Sequence, residues 1–240
     1  MRVVVCLKPV PDPREPWRFD PVRQTLVRDS SEGILNPQDD LALEAALRWR
    51  DAGLDLDCWA LTMGAQSARD ILKRALAKGA DHAVWLHDPD LAGSDLLATT
   101  RALTAAIRRI GVVDLVLMGD RSLDAGTGAL GAMLAEALGW PHLAGAEAVS
   151  VSADRLTATR QGTRDRLQCA WPAVASVAAL AGGPRLPSFT GIMATAKKEP
   201  VTWTRADLGL APEEVGLGGS ATRVIERMPS PGPAQGEVSA

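Results

Sequence analysis

The sequence is poor in cysteine and aromatic residues and contains no long apolar run. Its three cysteines lie far apart and form no C-x-x-C pair, so the sequence indicates neither a disulfide framework nor a zinc site. Charged residues interrupt every apolar run before the roughly 20 residues that a membrane-spanning helix needs, and the first apolar run is too short for a signal peptide. We therefore expect a protein of the reducing cytoplasm without a membrane span.

Basic tracts and catalytic clusters are also scarce. The formal net charge is −3, and basic residues are adjacent mainly at Arg108-Arg109 and Lys197-Lys198, so nucleic-acid binding is not expected. The three histidines share no spacing with a nucleophile, which predicts surface or loop positions. Asp39, Asp40 and Glu44 are interpreted as first-turn acids that complement a helix dipole. We expect no catalytic residues and no metal ligands.

The first 140 residues alternate between strand and helix patterns. Continuous apolar runs, typical of strands buried on both faces of a parallel sheet, occupy residues 3–7, 58–63, 83–86 and 113–118. Helical patterns, each followed by glycine, occupy residues 37–52, 67–78, 95–110 and 126–138. This alternation predicts an α/β fold with a doubly wound, mostly parallel sheet.

The remaining residues add a different pattern. Short strands are predicted at 144–152, 156–161 and 166–169, which indicates a small antiparallel addition, and the buried-strand pattern returns at 173–180. We assign residues 1–199 to one α/β domain, residues 200–226 to a C-terminal arm, and residues 227–240 to a polar, proline-rich tail that we expect to be disordered. The arm has no core of its own, so its apolar side chains are expected to need another protein's surface: Val201, Trp203, Leu208 and Leu210.

A ligand of such a sheet is expected outside the carboxyl ends of the strands. Four loops would converge there: residues 6–13, 63–67, 87–95 and 119–131. The last, GDRSLDAGTGALG, joins a strand to a helix, and its glycines allow backbone N–H groups to approach a phosphate at a helix N-terminus. The loop matches neither G-x-G-x-x-G nor a Walker loop, so a glycine-rich turn without ligand remains an alternative.

Several segments in order make the chain resemble the electron transfer flavoprotein beta subunit. They are VVVCLKPVPD, FDPVRQTLVRD, NPQDDLALEAAL, LTMG, ALAKGAD, AGSDLLATTRAL, the GDRSLDAGTGALG loop and PSFTGIMATAKK. The resemblance covers about residues 1–226. It implies an adenine-nucleotide-binding fold and an electron carrier rather than an enzyme.

The resemblance also implies a set of cofactor-binding positions. They are Cys6, Asn36, Pro37, Gln38, Asp39, Met63, Thr99, Arg121, Ser122, Leu123, Asp124, Ala125, Gly126, Thr127, Gly128, Ala129, Leu130, Gly131 and Ala132. The cofactors implied are FAD, held mainly by an alpha subunit, and either AMP or a second FAD in the beta subunit. The AGSDLLATT segment is similar to the nitrogen-fixation-linked and bifurcating branch, which holds the second FAD.

A partner-recognition loop is implied at residues 180–198. The position of its apolar anchor matches Phe189, and Ile192 and Met193 follow it. The implied partners are the alpha subunit, a flavin-dependent dehydrogenase and an acceptor such as a quinone oxidoreductase. The loop 119–131 lacks side-chain donors that the family commonly has, at Gly126 and Ala129. Two alternatives therefore stay open: a docking subunit that has lost its nucleotide, and a nucleotide-binding hydrolase or ligase of the same architecture.

Overall fold

The computed structural model describes residues 1–20, 25–27, 33–226 and 228. Its strands are β1 (Arg2–Cys6), β2 (Pro9–Pro11), β3 (Gly33–Leu35), β4 (Asp57–Met63), β5 (His82–Leu86), β6 (Leu115–Gly119), β7 (His142–Val151), β8 (Arg155–Arg160), β9 (Arg166–Ala170), β10 (Ala173–Val177) and β11 (Val201–Trp203). Its α-helices are α1 (Pro37–Asp51), α2 (Ser67–Lys78), α3 (Leu96–Ile110), α4 (Leu130–Leu138), α5 (Phe189–Thr195) and α6 (Gly216–Gly219), and short 3-10 turns lie at Pro89–Leu91 and Pro212–Glu214.

Nine of the strands in the described residues form one sheet, in the order β11-β5-β4-β1-β6-β10-β7-β8-β9. Neighbouring strands are parallel from β11 to β7, and β8 and β9 add an antiparallel edge. The chain runs outward from β1 through β4 to β5 and then returns to β6 on the other side of β1. The strand order therefore reverses between β1 and β6, where ligands of such sheets bind. The predicted fold class is confirmed.

The sheet is covered on both faces. Val3 and Val5 of β1 point into a cluster that includes Leu43 of α1 and Leu72 of α2. The intervening Val4 points into a second cluster, which includes side chains of α3 and α4. Alternate residues of the same strand are thus buried on opposite faces, which accounts for the continuous apolar runs of the central strands.

Helix α4 begins later than the sequence pattern predicted. We expected it to start at Gly126, but its first residue is Leu130. Gly126 and Gly128 have φ angles of 63° and 64°, in the left-handed region that right-handed helices exclude. The glycines therefore lengthen the loop between β6 and α4 by one turn, and they place its backbone ahead of the helix N-terminus.

The C-terminal arm is part of the domain rather than a separate extension. Strand β11 pairs in parallel with β5 as the edge of the main sheet, and Trp203, Leu208 and Leu210 pack against the α3/α4 cluster. These three side chains are half-buried, so this chain itself supplies part of the surface that we expected another protein to supply. Val201 is exposed. The packing of residues 200–226 on an alpha subunit stays a prediction, and the tail at 227–240, apart from Met228, lies outside the described residues.

Candidate functional site

The first turn of α1 lies against the loops that follow β1 and β6. The buried carboxylate of Asp39 accepts the N–H groups of Lys8, after β1, and Gly119, at the end of β6, each at 2.8 Å. Burial raises the pKa of Asp39 to about 7, although these N–H groups and the Lys8 charge act in the opposite direction. A Cβ atom on Gly119 would lie 2.5 Å from Asp39 Oδ1, so glycine is needed there. Asp39 therefore joins the two strand ends at the point where the strand order reverses.

Asn36 and Gln38 hold the loop that follows β6. The Asn36 side chain donates to the carbonyl of Arg121 and accepts the N–H of Leu123, both at 3.1 Å. Gln38 Oε1 accepts the N–H of Arg121 at 2.8 Å, and its Nε2 donates to the carbonyl of Ala178, beyond β10, at 3.1 Å. Both side-chain amides bond within the chain, so they position the loop.

Lys8 is a site residue that the sequence analysis missed. Its Nζ lies 2.6 Å from Oδ1 of the buried Asp124 carboxylate and 3.2 Å from Ser122 Oγ. The same Asp124 oxygen accepts the N–H of Ala125 at 2.8 Å. The sequence did contain a signal for Lys8: it is a basic residue shortly after the first strand, in a loop predicted to converge with the anion-binding loop. Lys8 thus ties the loop after β1 to the start of the glycine-rich segment.

The glycine-rich segment, residues 126–131, leads into α4 and presents backbone toward solvent at residues 126–128. Gly126, Thr127 and Gly128 are exposed, and Gly126 N–H closes a turn on the carbonyl of Ser122 at 2.9 Å. The first turn of a helix has N–H groups without intrahelical acceptors and carries the positive end of the helix dipole. This segment can therefore bind a phosphate through its main chain.

The side-chain charges beside this segment are paired. The Arg121 guanidinium lies 3.2 Å from Asp120 Oδ2, and Ser176 Oγ donates to Asp120 Oδ1 at 2.9 Å. Lys8 has its own carboxylate partner in Asp124. Because each cation is matched by an acid, an anion at this site would depend mainly on backbone N–H groups.

The predicted cofactor-binding positions fall into two groups. The structure brings Cys6, residues 36–39 and residues 121–132 together around the ends of β1 and β6. Met63 ends β4, the neighbour of β1, and Thr99 lies in α3 after β5, one strand farther out. Cys6 is buried, which raises the pKa of its thiol to about 12, so the group is a neutral thiol rather than a thiolate.

The predicted partner-recognition loop, residues 180–198, is called the recognition segment below, and it contains the short helix α5 with exposed apolar side chains. Ser188 caps α5 by accepting the N–H of Gly191 at 2.9 Å, and Phe189, the first residue of α5, is 77% exposed. Ile192 and Met193 are also exposed. A Cβ atom on Gly191 would lie 2.2 Å from the carbonyl oxygen of Ala77, so α5 packs closely on the end of α2. The apolar side chains are therefore presented from a fixed helix.

Two further features concern the described residues as a whole. Among them, no group of three or more His, Cys, Asp or Glu side chains is arranged to hold a metal ion. No helix in the described part of the chain has the length and apolar character needed to cross a membrane.

Comparison with known proteins places these features in a family context. Residues 24–208 match the model of the electron transfer flavoprotein domain. The chain is 35% identical over 241 residues to the caffeyl-CoA reductase-Etf complex subunit CarD of Acetobacterium woodii, covering 99% of this chain and 91% of that protein. It is 35% identical to the electron transfer flavoprotein subunit beta of Mycobacterium tuberculosis, with 98% and 91% covered, and 34% identical to that of Megasphaera elsdenii, with 93% and 86% covered.

Proposed function

The chain belongs to the electron transfer flavoprotein family, with beta subunits as its relatives, and we propose that it is the beta subunit of a heterodimeric electron carrier. In this proposal an alpha subunit holds FAD, a flavin-dependent dehydrogenase reduces the complex, and a quinone oxidoreductase or similar acceptor oxidises it. Electron transfer needs proximity and a tuned flavin rather than a general base. The protein would work in the cytoplasm.

One observation carries the proposal: a glycine-rich main chain, residues 126–131, lies at the start of α4 beside the reversal of strand order, and Asn36, Gln38 and Asp39 hold the loop that leads to it. We propose that this site holds the phosphate of an adenine nucleotide, with Cys6 and Met63 beside it. The nucleotide is AMP or a second FAD. The similarity of the AGSDLLATT segment to the bifurcating branch, which includes Thr99, favours the second FAD.

A second candidate function is a docking subunit without nucleotide. It is favoured by the side chains of the loop, because Gly126 and Ala129 offer no side-chain donors and Arg121 is paired with Asp120. Each missing hydrogen bond to a charged group costs about 1.5–3 kcal/mol of binding free energy. A hydrolase or ligase is a weaker candidate, since it would need a metal-binding or nucleophilic cluster in these loops, and the described residues contain no group of three or more His, Cys, Asp or Glu side chains arranged to hold a metal ion.

The nucleotide content of the purified complex tests the proposal. The chain is co-expressed with its alpha subunit, the complex is denatured, and the released nucleotides are separated and quantified. We expect one adenine nucleotide per beta chain in addition to the FAD of the alpha subunit, either as AMP or as flavin in excess of one per heterodimer. A fully folded complex that releases neither would exclude the beta-subunit site and favour the docking subunit.

A substitution at Gly128 tests the main-chain mode of binding. Gly128 has a φ of +64°, so Gly128→Val strains the loop and places a branched side chain where the phosphate would approach. We expect the nucleotide retained by the complex to fall at least tenfold. Gly162→Val is the matched control, because Gly162 also has a positive φ, +72°, in the turn between β8 and β9. Equal nucleotide loss in both variants would show that strain alone is responsible.

A further inference from the structure

Glu44 is a buried carboxylate on the second turn of α1 with two arginine partners. Its side chain is 6% exposed. Glu44 Oε1 accepts from Arg48 Nε at 2.8 Å, and Oε2 accepts from the Nε and the backbone N–H of Arg185 at 2.8 and 3.0 Å. Burial alone would raise the pKa of Glu44, but these hydrogen bonds outweigh it and lower the pKa, so the group is ionised. Helix α1 thus bonds directly to the segment after β10.

The two arginines extend this contact along the segment. Arg48 donates to the carbonyls of Ala181 and Gly183 at 2.6 and 2.7 Å, and Arg185 also pairs with Asp51 at 2.6 Å. The backbone is left-handed at 182 and 183, with φ angles of 80° and 64°. That turn directs both carbonyls at one guanidinium, and it requires glycine. Residues 181–185 are therefore fastened to α1 by Arg48, Asp51 and Glu44, and Glu44 bonds to both arginines.

The apolar side chains of the recognition segment lie between this contact and a second one. Leu186, 79% exposed, directly follows Arg185, and Phe189, Ile192 and Met193 project from α5. At the far end, Glu199 pairs with Arg69 and Lys73 of α2 at 2.7 and 2.8 Å, but its side chain is 52% exposed. Exposed ion pairs contribute little to the free energy of folding, whereas breaking a buried pair leaves a buried charge without a partner, which is costly. The Glu44 contact is thus the dominant ionic anchor of the segment.

We propose that Glu44 is a positioning residue for partner docking: through Arg48 and Arg185 it fixes the segment from which Leu186, Phe189, Ile192 and Met193 are presented. The inference rests on the proposed function, in which a flavin-dependent dehydrogenase reduces the complex, and on the implied recognition loop at residues 180–198 as the surface on which it docks. A segment already held in its bound conformation loses less conformational entropy on association. Glu44 therefore affects how tightly the dehydrogenase binds the complex, and not the electron-transfer step after binding.

Glu44→Gln in the heterodimeric complex tests this role. Glutamine keeps the shape of the side chain but cannot pair ionically with either arginine. We expect hydrogen exchange of the Arg185 amide, which bonds to Glu44, to accelerate at least tenfold. With a flavin-dependent dehydrogenase that reduces the wild-type complex, we expect the KM for the complex to rise at least threefold. The limiting rate and the flavin content should stay at wild-type values, which separates positioning from general destabilisation.

Three further variants are measured in the same assay. Glu199→Gln is the matched control at the exposed end of the segment. It should leave KM within about a factor of 1.5 of the wild-type value, since exposed ion pairs contribute little to stability. Arg185→Gln breaks the same contact from the side of the recognition segment, so it should raise KM as Glu44→Gln does. If Glu44→Gln does not fold, Arg185→Gln serves as the test of the positioning role. Phe189→Ala reports on the docking surface itself.

The outcomes distinguish this inference from the proposed function. If Phe189→Ala raises KM while Glu44→Gln and Arg185→Gln leave it unchanged, the positioning role is wrong and docking on the segment stands. If KM is unchanged in Phe189→Ala, Glu44→Gln and Arg185→Gln alike, both the docking surface and the positioning role are wrong. A lower limiting rate or lower flavin content in Glu44→Gln, with KM unchanged, would also overturn the inference.

Discussion

Replacing Phe189 with alanine is expected to slow reduction of the complex by its dehydrogenase at least tenfold at subsaturating concentrations. The ring is 77% exposed at the first position of α5, which Gly191 seats on α2. An aromatic anchor that enters a partner's pocket contributes about 2 kcal/mol or more to binding, and about 1.4 kcal/mol corresponds to a factor of ten. The measurement is the second-order rate constant of flavin reduction in stopped flow.

Leu186→Ala is the matched comparison for Phe189→Ala. Leu186 is equally exposed, precedes α5 and belongs to the same segment. Because both side chains contact mostly solvent, neither substitution should move the thermal midpoint or the flavin content. A tenfold loss in Leu186→Ala with none in Phe189→Ala would mean that the anchor was assigned to the wrong residue. An unchanged rate in both would place recognition elsewhere on the complex.

Local patterns predicted the central sheet and most helix ends well. Helix α2 has the predicted bounds, and α3 ends at the predicted Ile110, because apolar periodicity and a terminal glycine are both visible in the sequence. The start of α4 was missed, since a glycine pattern does not reveal that Gly126 and Gly128 adopt positive φ. Strand β11 was missed because three residues carry no periodicity and their pairing with β5 is determined by distant residues.

The candidate site was predictable as a set of loops but not as a set of side-chain roles. Asp39, Asp40 and Glu44 were interpreted together as acids that complement the dipole of α1. In the structure Asp39 joins the ends of β1 and β6, Asp40 pairs with Lys78 of α2, and Glu44 binds the recognition segment. These partners are between about 30 and 140 residues away in the chain, so no local pattern indicates them.

Asp39→Ala is expected to lower the free energy of unfolding by about 2–4 kcal/mol at pH 6. The change leaves the N–H groups of Lys8 and Gly119 without their acceptor, and an unsatisfied buried donor costs about 1–3 kcal/mol. The loop after β6 also loses its connection to β1, so we expect nucleotide retention to fall with stability. Urea denaturation of the complex at fixed protein and nucleotide concentration measures the first effect. Stability within about 0.5 kcal/mol of wild type would show that Asp39 does not join the two strand ends.

Asp39→Asn separates the charge of Asp39 from its shape through the pH dependence of stability. Burial raises the pKa of Asp39 to about 7 in the folded chain, against 3.8 as its ordinary value. Between these values the unfolded chain has lost the proton that the folded chain retains, so the contribution of Asp39 to stability falls as pH rises and levels off above about pH 7. The asparagine side chain of the variant does not titrate. The free energy of unfolding of wild type minus that of Asp39→Asn should therefore decrease between pH 5 and pH 7, by roughly 2–3 kcal/mol at about 1.4 kcal/mol per pH unit. An increase over the same range would mean that the N–H groups of Lys8 and Gly119 stabilise the carboxylate more than burial disfavours it, and Asp39 would then be an ionised anchor at every pH at which the complex works.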